Sequence, residues 1–162
     1  MNVMSALRNV KFAALVLGAL ALGGCPKQPD QTAALGGAAA LPGSQQDFIV
    51  NVGDRVFFDT DSSELSEQAR STLDKQAQWL NQYARYSFLI EGHADERGTR
   101  EYNIALGARR AQTVREYLVS RGVSAQRMRT ISFGKERPVA VCNDISCWSQ
   151  NRRAVTVLNQ NS

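Results

Sequence analysis

The residues of this chain that could do chemistry lie close together, between positions 92 and 111. The stretch reads GHADERGTREYNIALGARRA and holds the only histidine of the chain, His93, among three acids and four arginines. A cluster of this kind could serve acid–base catalysis, metal binding or the recognition of a charged ligand. The elements that flank the cluster decide between these uses, because they determine which side chains can meet.

Catalysis and metal binding have the weaker support in this cluster. His93 with Asp95 and Glu96 lacks the convergent set of ligands that a zinc site requires. His93 also alternates with Glu91 along a predicted strand, where a packed or hydrogen-bonded histidine is typical. The chain contains no G-x-S-x-G motif, no catalytic-cysteine context and no phosphate-binding loop. We therefore expect no enzymatic activity, no metal and no cofactor, with a hydrolase acting through His93, Asp95 and Glu96 as the alternative.

A helix predicted over 101–120 separates the arginines. On a helical wheel its core face carries five apolar residues: Ile104, Ala108, Ala111, Val114 and Leu118. Arg115 falls inside this face and is expected to extend its charged end to solvent. Arg109 points to solvent, whereas Arg110 lies at the edge of the buried face, on the same stripe as Asn103. Arg110 is therefore the arginine of this pair that is placed to face a site.

Asp95 lies between a predicted strand and this helix, and Gly98 with Thr99 lets the chain turn into the helix. Ligands of open α/β sheets bind near the carboxyl ends of strands, where helix N-termini offer free N–H groups. A zwitterionic ligand would place its ammonium against Asp95 and its carboxylate against Arg110. The alternative, equally compatible with the spacing, is that Asp95 and Arg110 pair with each other.

The rest of the folded part reads as alternating strands and helices. Ser66 is a suitable N-cap for a helix whose apolar residues recur at three- and four-residue spacing up to Ala84. The predicted strands are 54–58, 87–91, 128–133 and 152–158, and 134–150 is predicted to be a loop. The order β-α-β-α-β-β predicts an α/β fold, a sandwich with both helices on one side of a small mixed sheet.

The charge balance gives little support for a nucleic-acid partner, and we expect none. The chain has 19 basic and 15 acidic residues. Two of the basic residues, Arg8 and Lys11, belong to the N-terminal segment, which leaves 17 basic residues against 15 acidic ones. A nucleic-acid-binding domain usually has a stronger basic bias on one face.

The first 24 residues have the features of an export signal. An apolar run of 11 residues, 12–22, is too short to span a bilayer but has the length of a signal-peptide apolar region. The sequence LGGC at 22–25 resembles the lipobox of bacterial lipoproteins. That resemblance implies that residues 1–24 are removed and that Cys25 is lipidated, which gives a permanent membrane anchor. An ordinary signal peptide with a chance cysteine is the alternative.

The composition then changes twice along the chain. Residues 26–46 are rich in Ala, Gly, Gln and Pro, with almost no charge, and cannot bury enough apolar surface to offset the entropy of ordering. We therefore predict three parts, which are a signal peptide at 1–24, a lipidated cysteine with a flexible linker at 25–46 and a folded domain at 47–162.

The cysteine count is odd, which would leave one thiol unpaired in an exported protein. If Cys25 is lipidated, Cys142 and Cys147 remain as a pair. Export to an oxidising compartment favours a disulfide between them. The alternative is a metal site, for which the neighbouring residues offer only Asn143 and Asp144.

Several motifs together resemble the peptidoglycan-associated lipoproteins of the OmpA-like C-terminal domain family. They are the stretch at 92–111, VFFDTDSSEL at 56–65, SFGKERP at 132–138 and WSQNRRA at 148–154. The resemblance covers nearly all of the folded part. It implies an OmpA-like fold and non-covalent binding of peptidoglycan through the diaminopimelate residue of the stem peptide. The family's ligand-binding positions match six residues here: Thr60, Asp61, Asp95, Asn103, Leu106 and Arg110.

The resemblance also implies partners and a location. It implies TolB and other components of the Tol–Pal system as partners, with a role in outer-membrane constriction during cell division and in envelope integrity. It places the lipid anchor in the outer membrane and the domain in the periplasm, since Pro26 stands where retention in the inner membrane would require Asp. Gly107 stands where many relatives carry Ser, which removes one polar contact. A scaffold that mainly contacts proteins is the remaining alternative.

Overall fold

A computed structural model describes residues 40–159 of the chain. The predicted signal peptide, Cys25 and most of the predicted linker lie outside the described residues. The described part contains one sheet of four strands, which are β1 (Arg55–Phe57), β2 (Ser87–His93), β3 (Met128–Gly134) and β4 (Arg153–Asn159). The strand order is β1-β4-β2-β3. Because β2 and β3 are parallel while β4 is antiparallel to both β1 and β2, the sheet is mixed, as predicted.

Two long helices cover one face of this sheet. The helices are α1 (Gln45–Asp47), α2 (Glu67–Gln82), α3 (Arg100–Ser120) and α4 (Ile145–Asn151), and α1 continues as a π-helical turn, Phe48–Val52. Apolar side chains of α2 and α3 form a single core with those of all four strands. The predicted α/β sandwich is therefore confirmed. No helix within residues 40–159 combines the length and hydrophobicity needed to cross a membrane.

The start of α2 follows directly from its sequence. The amide of Ala69 donates to the Ser66 hydroxyl at 3.1 Å, so Ser66 is the N-cap that the sequence predicts. The helix buries the apolar residues that recur at helical spacing: Ala69, Leu73, Ala77 and Leu80. Ala84, which was assigned to the same face, is exposed because the helix has already ended at Gln82.

The buried face of α3 lies farther round the helix than the wheel predicts. Ala108 is exposed and Ile104 is only half-buried. The buried residues are Asn103, Leu106, Gly107, Arg110, Ala111, Val114 and Leu118. The reason is a close approach of helix and sheet, since a Cβ atom on Gly92 of β2 would lie 1.8 Å from the Gly107 carbonyl oxygen. Because neither glycine has a side chain, this side of α3 packs directly on β2 and carries Arg110 into the interior.

The prediction of a loop over 134–150 is wrong in its second half, where α4 forms. Asp144 is the N-cap of α4, and its carboxylate accepts a hydrogen bond from the Ser146 amide at 2.8 Å. Cys142 and Cys147 form a disulfide that ties α4 to the loop before it. A helix of seven mostly polar residues has too few apolar positions for its period to be read from the sequence.

Candidate functional site

A shallow pocket of about 260 Å³ opens where β2 ends and α3 begins. Nine residues line it: Thr60, Asp61, Asp95, Arg97, Gly98, Tyr102, Asn103, Leu106 and Arg110. They come from the loop after β1, the loop between β2 and α3, and the first three turns of α3. The structure thus brings together all six residues that the sequence predicts as ligand contacts. It adds Arg97, Gly98 and Tyr102, which were not predicted as such.

Asp95 lies at the floor of the pocket as an ion-paired carboxylate. It is nearly buried, and it pairs with Arg97 at 2.8 Å and with Arg152 at 3.3 Å. Burial raises the pKa of Asp95, but hydrogen bonds from Arg97 and then from Arg152 outweigh burial and hold that pKa below its usual value. Asp95 is therefore a negative charge of fixed position at neutral pH.

Arg110 is wholly buried and is held by main-chain oxygen atoms. Its guanidinium donates to the carbonyl groups of Asp59 (3.0 Å), Ser62 (2.8 Å) and His93 (2.8 Å). These carbonyl groups use three of the five N–H donors of the guanidinium. Burial, and then the charge of Arg152, lowers the pKa of Arg110 to about 10, so the side chain stays charged at neutral pH. The prediction that Arg110 lies at the edge of the buried face is wrong, because it lies inside that face and joins the loop after β1 to the end of β2.

The alternative in which Asp95 and Arg110 pair with each other is not the arrangement found within residues 40–159. Asp95 receives its hydrogen bonds from Arg97 and Arg152, whereas Arg110 donates its own to carbonyl groups. Asp95 and Arg110 therefore do not neutralise each other, and both line the same pocket. The pocket can therefore orient a ligand with an ammonium at one side and a carboxylate at the other.

The loop after β1 adds an acidic rim to the pocket. Asp61 has a φ of 55°, the one positive φ of a non-glycine residue between positions 40 and 159. Such a conformation costs about 1–3 kcal/mol and persists where neighbouring contacts hold it. Tyr102 of α3 supplies such a contact, because its hydroxyl donates to the Asp61 carboxylate. Asp61 is exposed, so its charge remains accessible to a ligand.

The helix side of the pocket is formed by Asn103 and Leu106. Asn103 is buried, and its Nδ2 donates to the Arg97 carbonyl oxygen at 2.7 Å, which ties the loop to the helix. Leu106 contributes an apolar wall. Arg97 covers Asp95 and reaches the Thr60 hydroxyl at 3.5 Å. Its position two residues after Asp95 in the same loop is the sequence signal that could have indicated Arg97.

His93 lies outside the pocket, on the face of the sheet opposite α3. Its ring stacks on Phe133 with centroids 5.6 Å apart and is almost fully buried. Burial, and then the charges of Arg153 and Arg137, lowers the pKa of His93 to about 4. The imidazole is therefore neutral at physiological pH, and only the backbone carbonyl of His93 touches the pocket region, through Arg110.

The three residues of the hydrolase alternative consequently face three directions. Asp95 faces the pocket, His93 packs on the opposite face of the sheet, and Glu96 accepts a hydrogen bond from the Trp148 indole. No group of three or more His, Cys, Asp or Glu side chains suited to a metal occurs between residues 40 and 159. The chain therefore offers these three residues no common substrate position.

Together these features define a small α/β binding domain with one carboxylate and one guanidinium held at the floor of a single pocket. The chain belongs to the OmpA family, whose model matches residues 57–153. The matched range contains all nine residues that line the pocket.

Relatives of the chain carry the name peptidoglycan-associated lipoprotein. That of Rhizobium meliloti (strain 1021) is 67% identical over 156 residues, covering 93% of this chain and 88% of the relative. That of Pseudomonas putida is 40% identical over 162 residues, covering 93% and 97%. The crystal structure of the one from Burkholderia pseudomallei has a TM-score of 0.64 at 44% identity, covering 65% of this chain and 90% of that chain. The resemblance inferred from the motifs is confirmed.

Proposed function

We propose that this protein is an outer-membrane lipoprotein that binds peptidoglycan non-covalently and so anchors the membrane to the cell wall. The observation that carries the proposal is the pocket at the end of β2, where Asp95 and Arg110 present opposite charges to one space. The names of the relatives support peptidoglycan as the polymer. Non-covalent binding requires that the ligand match the pocket in charge and shape, and it involves no catalytic step.

The ligand group that fits the pocket best is the free end of diaminopimelate, which carries an ammonium and a carboxylate on one carbon. We place the carboxylate on the side of the pocket that Arg110 lines, where the buried guanidinium supplies positive charge. The ammonium lies against the acidic side of the pocket, formed by Asp95 at the floor and Asp61 at the rim. Leu106 packs against the methylene chain, Thr60 borders the entrance, and the buried Asn103 supports the helix side of the pocket.

Arg97 sets a condition for this mode of binding. Its Nε and Nη2 atoms already occupy both oxygen atoms of Asp95, at 3.0 and 2.8 Å. An incoming ammonium therefore shares Asp95 with Arg97 and meets Asp61 as the more accessible acid. In this scheme Asp95 has two tasks, which are to attract the ammonium and to keep Arg97 in position.

The cellular setting belongs to the same proposal. Residues 1–24 are removed as a signal peptide, Cys25 is lipidated, and a linker leads to the binding domain, which begins a few residues before the predicted position 47 because α1 covers Gln45–Asp47. The Cys142–Cys147 disulfide suits an oxidising periplasm. TolB and the other Tol–Pal components are the proposed protein partners, with a role in cell division and envelope integrity.

Co-sedimentation of the detergent-solubilised full-length protein with purified sacculi tests the site. Asp95→Asn keeps the shape of the side chain and removes its charge, so we expect at least about tenfold weaker binding. Asp74→Asn is the matched control, because Asp74 is half-exposed and pairs with Arg121 on another surface, at 2.8 Å. Equal binding by Asp95→Asn and the wild type would refute the assignment of the pocket.

The same sacculi separate the two rival functions. A hydrolase would release soluble muropeptides, which chromatography of the supernatant would detect. A protein scaffold would not sediment with sacculi unless its partners were added. Competition by free diaminopimelate, at concentrations at which lysine has no effect, would support the proposed ligand group.

A further inference from the structure

Trp148 of α4 contacts both charged residues that follow Asp95 in the chain. The guanidinium carbon of Arg97 lies 4.1 Å from the centroid of the Trp148 ring. The indole Nε1–H donates to the Glu96 carboxylate. One indole therefore holds two consecutive residues of the loop between β2 and α3, although Trp148 itself does not line the pocket.

Arg97 joins the indole to the floor of the pocket. Its guanidinium stacks on Trp148 by its face and binds the Asp95 carboxylate by its edge, through two hydrogen bonds. A planar guanidinium held at both face and edge has a defined orientation. The side chain of Arg97 is 40% exposed even with the ring in place, so the ring and the Asp95 carboxylate together keep it from turning towards water.

The same part of the chain holds Asp95 from its other side. Arg152 follows α4 directly and is nearly buried. Its Nη1 lies 3.3 Å from the Asp95 carboxylate, and its Nε donates to the Phe58 carbonyl oxygen at 3.0 Å. Trp148 lies in α4, and Arg152 comes directly after it. Trp148 contacts Arg97 and Arg152 contacts Asp95, so this part of the chain holds both members of the Asp95–Arg97 pair.

The position of α4 depends on contacts with the rest of the domain. With seven residues it is too short to be a stable helix alone. The buried Asn151 side chain bonds to the backbone of Val139 and Ala140 at its far end. The Cys142–Cys147 disulfide is the covalent link at its near end, and Cys147 immediately precedes Trp148.

We infer that Trp148 is a positioning residue for the pocket: it holds Arg97 against Asp95, and the Cys142–Cys147 disulfide holds the helix that carries Trp148. A site whose side chains are ordered before binding loses less entropy when the ligand arrives. Removal of the indole leaves Arg97 to be ordered by the ligand itself. The inference rests on the proposed function only for the identity of the ligand.

The first test needs no ligand and uses the Arg97 Nε–H signal in NMR spectra of the full-length protein in detergent. In the wild type this proton is hydrogen-bonded to Asp95 and should exchange slowly with water. Trp148→Leu should accelerate its exchange, and Trp148→Phe, which keeps an aromatic face, should give an intermediate rate. Equal rates in the wild type and Trp148→Leu would overturn the inference, whatever the ligand is.

The second test measures affinity for purified sacculi by co-sedimentation. We expect about threefold to tenfold weaker binding for Trp148→Leu and a smaller loss for Trp148→Phe, at equal thermal stability. In an Arg97→Gln background, Trp148→Leu should weaken binding by less than about twofold, because Arg97 mediates its effect. A merely structural role would show the full loss in both backgrounds.

The outcomes also separate the inference from the proposed function. A wild type that does not sediment refutes peptidoglycan binding, while the exchange rates still decide the role of Trp148. A wild type that sediments, with Trp148→Leu binding as tightly or more tightly, overturns the positioning role.

The double variant Cys142→Ser, Cys147→Ser should show faster Arg97 exchange and about twofold to fivefold weaker binding. If the Arg97 exchange rate and the affinity of this double variant equal those of the wild type, the disulfide has no part in positioning Trp148.

Discussion

The two faces of the sheet at the end of β2 hold buried polar side chains in different charge states. On the face towards α3, Arg110 is fully buried and keeps its charge, because three carbonyl groups accept its hydrogen bonds. On the opposite face, His93 is almost as buried, yet neither ring nitrogen has a hydrogen-bond partner within residues 40–159. Its lowered pKa leaves the ring neutral.

The difference shows where this fold can hold a charge. Burial penalises a charged group unless hydrogen bonds replace those that it made with water. The carbonyl groups that do so for Arg110 belong to the loop after β1 and to the end of β2, which also shape the pocket. The pocket face is thus built around a charge, whereas the His93 face is built around a packed neutral ring.

Arg110→Ala should break the pocket face and have the largest effect. It removes the donor from three carbonyl groups, that of the buried His93 among them, and empties a fully buried site, so we expect the free energy of unfolding to fall by about 3–5 kcal/mol. Urea denaturation followed by circular dichroism measures this change. Arg109→Ala, at the exposed neighbour, should change it by less than about 0.5 kcal/mol. A loss below about 1 kcal/mol for Arg110→Ala would mean that water replaces the guanidinium without cost.

Gly92→Ala should disturb the packing of α3 on the pocket face of the sheet. The new Cβ atom would meet the Gly107 carbonyl oxygen at 1.8 Å, and a backbone atom cannot turn aside as a side chain can. We expect α3 to be pushed from β2 at a loss of about 3 kcal/mol in the free energy of unfolding. Ala105→Val, which adds bulk on the exposed side of α3, is the control and should stay within about 0.7 kcal/mol. Similar stability of both variants would contradict the close packing of the two glycines.

His93 should make stability depend on pH in a defined window. Its pKa is about 4 in the folded protein, against 6.5 for an unperturbed imidazole, so the unfolded chain binds more protons between these values. Stability is therefore lost as the pH falls from 6.5 to 4. Arg153 and Arg137 face the ring and oppose its protonation, while the Glu91 carboxylate, 3.3 Å from Nε2, favours it. We expect a loss of about 2 kcal/mol over this range.

Urea denaturation at pH 7.0 and at pH 4.5 measures the contribution of His93. His93→Gln removes the titrating group, so the difference between the two pH values should shrink by most of that amount. Asp95, whose pKa is lowered, titrates below its usual range and contributes little within this window. An unchanged pH dependence in His93→Gln would assign the effect to other groups and would remove the contrast between the two faces.

Local patterns in the chain were enough to predict most of the fold. Hydrophobic periodicity indicated the four strands and both long helices, and the Ser66 cap marked the start of α2, because these signals depend on neighbouring residues. The adjacency of a strand end and a helix start indicated Asp95 and Arg110, whereas the other four pocket residues could be named because the motifs resemble a known family. The short α4 left no readable period, so a loop was predicted in its place.

Contacts between distant parts of the chain decided the rest. Arg110 receives its acceptors from residues 48 and 51 positions away, and Arg152 reaches Asp95 across 57 positions. The rotation of α3 depends on two glycines that meet only when helix and sheet pack. A helical wheel orders residues around one axis but does not state how deeply the helix is buried or which loop caps its charges. Burial, the pairing of Asp95 with Arg152 and the role of Trp148 follow from those long-range contacts alone.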